Sequence, residues 1–230
     1  MAARPRTKTA CWIGVPDEAY KAAGVSIGRS DNITAYFRYT FTVSQPGTLV
    51  FKITANSRYR LWVNGRPILS GPLKGDKWRQ YFETVDVSKF LKPGFNCIAV
   101  KVVSYPAFES DADSRQAPIS VMSNGAGPML MVDGVCKTDK GRILADLTTG
   151  HGDWYVSLDQ AIEWVSCEDN SCAGPMEKVM GDMLPHGWLD QEKAEGDWYH
   201  AETLWVASGD PADARYGLIS PMPLEERPVP

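Results

Sequence analysis

The sequence predicts an all-β protein, a β-sandwich with a partly irregular or short-helical insertion near its C-terminus. Three observations carry that expectation. Short segments alternate apolar and polar residues with a period of two, Gly, Pro, Asn and Asp bound them, and no stretch before "ILADLTTG" keeps a helical period. A period of two puts successive side chains on opposite faces of a strand, so each segment can bury one face and wet the other.

In "AYFRYTFTV", Phe37, Tyr39, Phe41 and Val43 share one face opposite Tyr36, Arg38, Thr40 and Thr42, and "SQPG" ends the run. "TLVFKITA" repeats the pattern with Leu49, Phe51 and Ile53. In "RYRLWVNG", Tyr59, Leu61 and Val63 oppose Arg58, Arg60 and Trp62, and the Asn64-Gly65 pair suits a type I′ hairpin returning through "RPILSG". "YFETVDVSKFLKPGFNCIAVKVV" reads as a strand, a short helical or irregular turn at "DVSKFL", a Pro-Gly turn and a second strand. Beyond the polar loop "AFESDADSRQA", the expected strands are "PISVMS", "PMLMVDG", "GRILAD", "DWYVSL" and "ETLWVAS". Between the last two, "SCAGPMEKVMGDMLPHGWLDQEKAEGDWYHA" reads as a long excursion with a helical turn or two. The end, "ISPMPLEERPVP", is too rich in proline to pair as a central strand and reads as a connector. The expected division is an arm and first strand region over residues 1–33, the sandwich over 34–208, and a proline-rich linker over 209–230.

Composition narrows the function classes. A net charge of -4 and a pI near 5.4 give no electrostatic reason to expect nucleic acid as a partner. No apolar run approaches the roughly 20 residues of a membrane-spanning helix, and "MAARPRTKTACWIG" has no apolar core of a secretory signal. The expected location is cytoplasmic, with a secreted form left open; the sequon Asn32-Ile33-Thr34 matters only in that form. Cys11, Cys97 and Cys136 are scattered like ordinary thiols, whereas Cys167 and Cys172 in "CEDNSC" either stay reduced or close a small loop.

The series "FRYTFTV", "ITANSRYRLWVNGRPILSGP", "YFETVDVSKFLKPGFNCIAVKV" and "ISPMPLEERPVP" resembles the N-terminal region of bacterial α-L-rhamnosidases and related large glycosidases. The resemblance implies a jelly roll of the galactose-binding-domain type placed ahead of an (α/α)-barrel catalytic domain, which is expected to lie outside this chain. It implies a non-catalytic carbohydrate-binding or accessory module, with a glycan, rhamnose-containing among others, and the catalytic barrel as partners. A purely structural interdomain sandwich is the alternative. Sandwiches of this kind often hold calcium, and "RSDN", "KGDKW" and "ESDADS" offer oxygens, but the twelve-residue calcium loop is absent, so calcium is kept as a candidate cofactor with no ligands named.

Hydrolysis of a glycoside needs two carboxyl groups about 5–10 Å apart across a cleft. The acids of "ESDAD", "CEDNSC" and "PLEERP" sit in polar loops or the tail, where solvated charge explains them. There is no G-x-S-x-G elbow and no nucleotide-binding glycine motif. His151 with Asp153, and His186 with Asp190, could ligate a metal, but loop structure explains them better. No catalytic residue is assigned.

Eight tryptophans are many for 230 residues. A sugar's C–H face packs on an aromatic ring while Asp, Asn and Arg bond its hydroxyls, so a site needs one or two rings with polar neighbours. Because sandwich function concentrates in loops at strand ends, the expected ligand-binding cluster is Asn56, Arg58, Asp76 and Trp78. Trp62, in mid-strand, is expected to meet protein rather than sugar.

Overall fold

A computed structural model describes residues 10–26, 32–73, 80–105, 127–165, 176–207 and 224–228. Among the described residues fifteen strands follow one another: β1 (Cys11–Gly14), β2 (Ile33–Val43), β3 (Thr48–Ala55), β4 (Arg58–Val63), β5 (Arg66–Gly71), β6 (Gln80–Asp86), β7 (Gly94–Ser104) and β8 (Met129–Lys137). Then come β9 (Ile143–Asp146), β10 (Tyr155–Leu158), β11 (Ile162–Val165), β12 (Met176–Val179), β13 (Tyr199–His200), β14 (Glu202–Val206) and β15 (Leu224–Glu226). One sheet has the order β14-β1-β8-β3-β6-β15 with β9 on β8; the facing sheet has the order β13-β10-β2-β7-β4-β5; β11 and β12 form a separate hairpin. This is the all-β sandwich that the alternation predicts.

The alternating faces close on each other. Phe37 and Tyr39 of β2, Ile98, Val100 and Val102 of β7, and Tyr59, Leu61 and Val63 of β4 meet Leu49, Phe51 and Ile53 of β3 and Leu130 and Val132 of β8 in one core. Tyr59 crosses that core to donate its hydroxyl to Glu83 Oε2 on β6 at 2.6 Å. The β4–β5 turn has positive φ at both Asn64 (51°) and Gly65 (78°), the backbone a type I′ turn requires. The Asn64 side chain also donates to the Phe90 carbonyl at 2.9 Å and accepts from the Cys97 N–H at 2.9 Å, so it pins the turn to β7.

The structure differs from the expectation in three places, the N-terminal arm, the late excursion and the proline-rich end. A seven-residue helix, α1 (Asp17–Ala23), lies in the N-terminal arm, with Pro16 at its N-cap, Asp17 and Glu18 in its first turn and left-handed Gly24 at its end. It is too short to show a sustained period and buries only Ala19 and Tyr20. In the late excursion, "MEKV" is strand β12 rather than a helical turn. It pairs with β11 in the register Ile162↔Val179 to Val165↔Met176, and a single 3₁₀ turn, Gly181–Met183, follows it. Within the proline-rich end, Leu224–Glu226 lies parallel on β6 as an edge strand, a position that neighbouring prolines tolerate. "PISVMS" falls outside the described residues.

The excursion does not run free. Trp188, Leu189, Ala194 and Trp198 pack on Tyr36, Trp62, Phe95, Cys97 and Ala99, which is the outward face of the β2-β7-β4 sheet. Arg38 holds this return in place: it is 5% exposed, donates to the Gln191 carbonyl, and lies over the Trp198 ring at 5.5 Å.

Candidate functional site

The outward face of the second sheet carries a cleft of about 600 Å³, and strand register says how it is built. Tyr36 of β2, Lys101 of β7, Arg60 of β4 and Ser70 of β5 stand side by side in one row across four strands. One row over, Arg58 is opposite Val103; on the other side, Trp62 is opposite Ala99. The small Ala99 side chain leaves height above the sheet, and Trp188 of the returning segment fills it, with ring centroids 4.6 Å from Tyr36 and 5.4 Å from Trp62, the latter edge-on.

The β11–β12 hairpin supplies the opposite wall. Its own alternation turns Ile162, Trp164, Glu177 and Val179 toward the cleft, while Glu163 and Lys178 pair on the other side at 2.7 Å. Trp164 meets Tyr105 at 6.4 Å, and Glu177 accepts from Lys101 Nζ at 3.0 and 3.2 Å, which ties hairpin to sheet. The result is a trough with aromatic surfaces from Trp62, Trp188 and Tyr105 and a polar lining of Arg58, Arg60, Ser70, Lys101 and Glu177.

The polar groups are held at defined angles. Arg58 Nη1 donates to the Pro72 carbonyl at 3.1 Å, and the Arg60 guanidinium lies over the Trp62 ring at 5.1 Å. The Tyr36 hydroxyl donates to Asp159 Oδ1 at 2.9 Å; burial, and then the adjacent Asp159 charge, push its pKa up, so it stays a phenol. Burial raises the Tyr105 pKa, with Arg58 opposing.

Acid–base chemistry can be tested on the same geometry. Among the described residues, the one carboxylate lining this cleft is Glu177, already paired with Lys101. Two further carboxyls are withdrawn from water: burial raises the pKa of Glu83, against the hydrogen bond from Tyr59, and of Asp159, against the bond from Tyr36. Each is capped by a tyrosine. The described residues contain no group of three His, Cys, Asp or Glu placed to hold a metal, and the loops "KGDKW" and "ESDADS" fall outside them.

The four residues expected to bind ligand divide. Arg58 lines the cleft. Asn56 is 1% exposed and fully engaged: Nδ2 donates to the Gly127 carbonyl at 2.8 Å and to Ser104 Oγ at 3.3 Å, and Oδ1 accepts the Met129 N–H at 3.0 Å. Asp76 and Trp78 lie outside the described residues, as do Cys167 and Cys172. Trp62 does meet protein, through Trp188, and its remaining surface faces the cleft. Tyr36, Lys101, Tyr105, Glu177 and Trp188 were not anticipated. Alternation places Tyr36, Arg60 and Trp62 on one face, but nothing local in the sequence shows that residues 162–188 return over it.

No family model matches the sequence, and no curated protein matches it significantly. Among solved structures, the chain is similar to part of a GH78 family rhamnosidase of Bacillus sp. GL1, at a TM-score of 0.64 and 23% identity over 98% of this chain and 20% of that one. It is similar to part of an α-L-rhamnosidase from Aspergillus terreus, at 0.58 and 17% over 86% of this chain and 21% of that one. A lectin from Pleurotus ostreatus, solved in complex with GalNAc, matches at 0.51 and 17% over 92% of this chain and 46% of that one. At these identities the likeness establishes the fold, and the chain spans about a fifth of either rhamnosidase.

Proposed function

We propose that this chain is a carbohydrate-binding or accessory module of an α-L-rhamnosidase-like glycoside hydrolase, positioning glycan and packing on a catalytic domain rather than cleaving the glycan itself. The observation that carries the reading is the cleft: aromatic surface from Trp62, Trp188 and Tyr105 beside fixed arginine donors, in a volume of about 600 Å³. Apolar ring faces and directional N–H groups are what a saccharide's C–H and hydroxyl surfaces need together. The shared fold with parts of two rhamnosidases and with a lectin that holds GalNAc supports the same class. The purely structural reading draws support from one feature. Met176, Val179, Met180 and Met183 expose apolar surface on and after the hairpin, where a neighbouring domain could cover them. Cys97 and Cys136 are buried thiols outside any disulfide, which suits a reducing compartment, and we propose the cytoplasm as the location of this chain.

The test is a titration of the purified chain with L-rhamnose, galactose and pectin fragments, with and without calcium, following tryptophan fluorescence. A saturable change that Trp62→Ala abolishes supports the module. A flat response with every sugar favours the structural role, and release of reducing sugar ends the non-catalytic reading.

A further inference from the structure

We infer that the cleft selects an anionic saccharide, a glycan carrying hexuronate carboxylates, through Arg58 and Arg60. The inference rests on the carbohydrate reading of the same cleft and concerns what that cleft prefers. Among the described residues, its lining carries three cations, Arg58, Arg60 and Lys101, against one carboxylate, Glu177. Lys101 and Glu177 neutralise each other at 3.0 Å, which leaves two guanidinium groups without an ionic partner among the lining residues. The imbalance is local, because the whole chain is acidic at a net charge of -4.

Position gives the charges a use. Arg58 and Arg60 are two apart on β4 and therefore on one face, about 7 Å apart along the strand, close enough for two long side chains to converge on one carboxylate. The Arg60 guanidinium lies over Trp62 at 5.1 Å from the ring centroid, and the side chain remains exposed to an entering ligand. Arg58 spends one N–H on the Pro72 carbonyl, which orients the rest of its fork. Guanidinium groups pair with carboxylates through two parallel N–H···O bonds, shorter and stronger than bonds to a neutral hydroxyl. A neutral sugar entering the trough would cover two charges without compensating them, whereas each uronate carboxylate supplies one opposing charge, and a glycan with two of them compensates both. The aromatic wall accepts the C–H face of either sugar, so charge decides between them.

The deciding experiment compares trigalacturonate with its full methyl ester, the same sugar without charge, by calorimetric titration, with L-rhamnose and galactose alongside. A sulfated trisaccharide serves as a second anion. Trigalacturonate is expected to bind at least about tenfold more tightly than the ester, and the preference should shrink as salt rises from about 0.05 M to about 0.5 M. Arg60 is exposed, so Arg60→Gln should keep the wild-type circular dichroism while losing most of the preference; Arg58→Gln should act in the same direction. Equal affinities for acid and ester, or an unchanged preference in folded Arg60→Gln, would overturn the inference and leave the carbohydrate reading standing. Tighter binding of the sulfated sugar than of trigalacturonate would overturn the assignment to carboxylate. No binding of any saccharide at millimolar concentration would overturn the carbohydrate reading and this inference with it.

Discussion

Asn56 stands where a sugar ligand was expected, and its burial turns it into a test of stability. Its amide satisfies the Gly127 carbonyl, Ser104 Oγ and the Met129 N–H, linking the β3–β4 connection to the end of β7 and the start of β8. Asn56→Ala strands one buried acceptor and one buried donor, at about 1–3 kcal/mol each; the Ser104 hydroxyl can rotate, and water entering the vacated space recovers part of the loss. The expected net cost is about 3 kcal/mol, which for a chain of this size lowers Tm by roughly 6–12 °C. Urea unfolding followed by tryptophan fluorescence should show an earlier midpoint at unchanged slope. Saccharide affinity, measured where the variant is fully folded, should stay within about twofold, because Arg58 begins the next strand and keeps its own contact with Pro72. A variant as stable as the parent but at least about tenfold weaker for sugar would refute this reasoning and return Asn56 to the ligand contacts.

Trp188→Ala should cost about 3 kcal/mol by uncovering Tyr36, Trp62 and Ala99, and should abolish any ligand-induced fluorescence change; calorimetry and fluorescence titration check the two parts. Glu83 gives a pH signature. Burial raises its folded pKa above the ordinary value of 4.5, so between that value and the raised one the folded state holds more protons than the unfolded state, and stability falls as pH rises. Glu83→Gln should flatten that decline in urea midpoints measured from about pH 4 to about pH 8, and an unchanged slope would remove Glu83 as its source. Gly65→Val forces a β-branched residue into φ 78° and toward Asp190 Oδ2, so it should destabilise by about 2 kcal/mol; a neutral effect in thermal unfolding would contradict the turn geometry.

The inner faces of the sandwich were legible because burial on one side of a strand writes itself into alternate residues. Tyr59, Leu61 and Val63 face the core as their spacing requires, and Arg58, Arg60 and Trp62 face away. The Asn64-Gly65 turn was legible because few pairs tolerate positive φ twice. The cleft was not, since its second wall comes from residues about 60 to 150 positions away along the chain from its floor, and "MEKV" alternates too briefly to declare itself a strand. Helix α1 escaped for a related reason: seven residues with two buried side chains make no period. Loops at strand ends were the natural place to look for a site, and the Asn56 side chain is instead spent on Gly127, Met129 and Ser104 of neighbouring elements.

A strand face is flat, and a flat face binds small ligands poorly, so the tryptophan on the arginine side of β4 needed something above it. The β11–β12 hairpin and the Trp188 turn provide that height, but they do so in different ways. Trp188 is buried on Tyr36 and Trp62 and acts as fixed wall. The hairpin exposes every residue of β12 and is tied to the sheet through the Lys101–Glu177 pair and the Tyr105–Trp164 contact. Partly exposed ion pairs of that kind hold by about 1 kcal/mol or less, so the hairpin wall is the weaker of the two. A ligand that reaches from Arg60 to Glu177 would therefore meet one rigid side and one adjustable side. The same Lys101 that neutralises Glu177 keeps the trough's positive charge concentrated at Arg58 and Arg60, where the sugar's anion would have to sit.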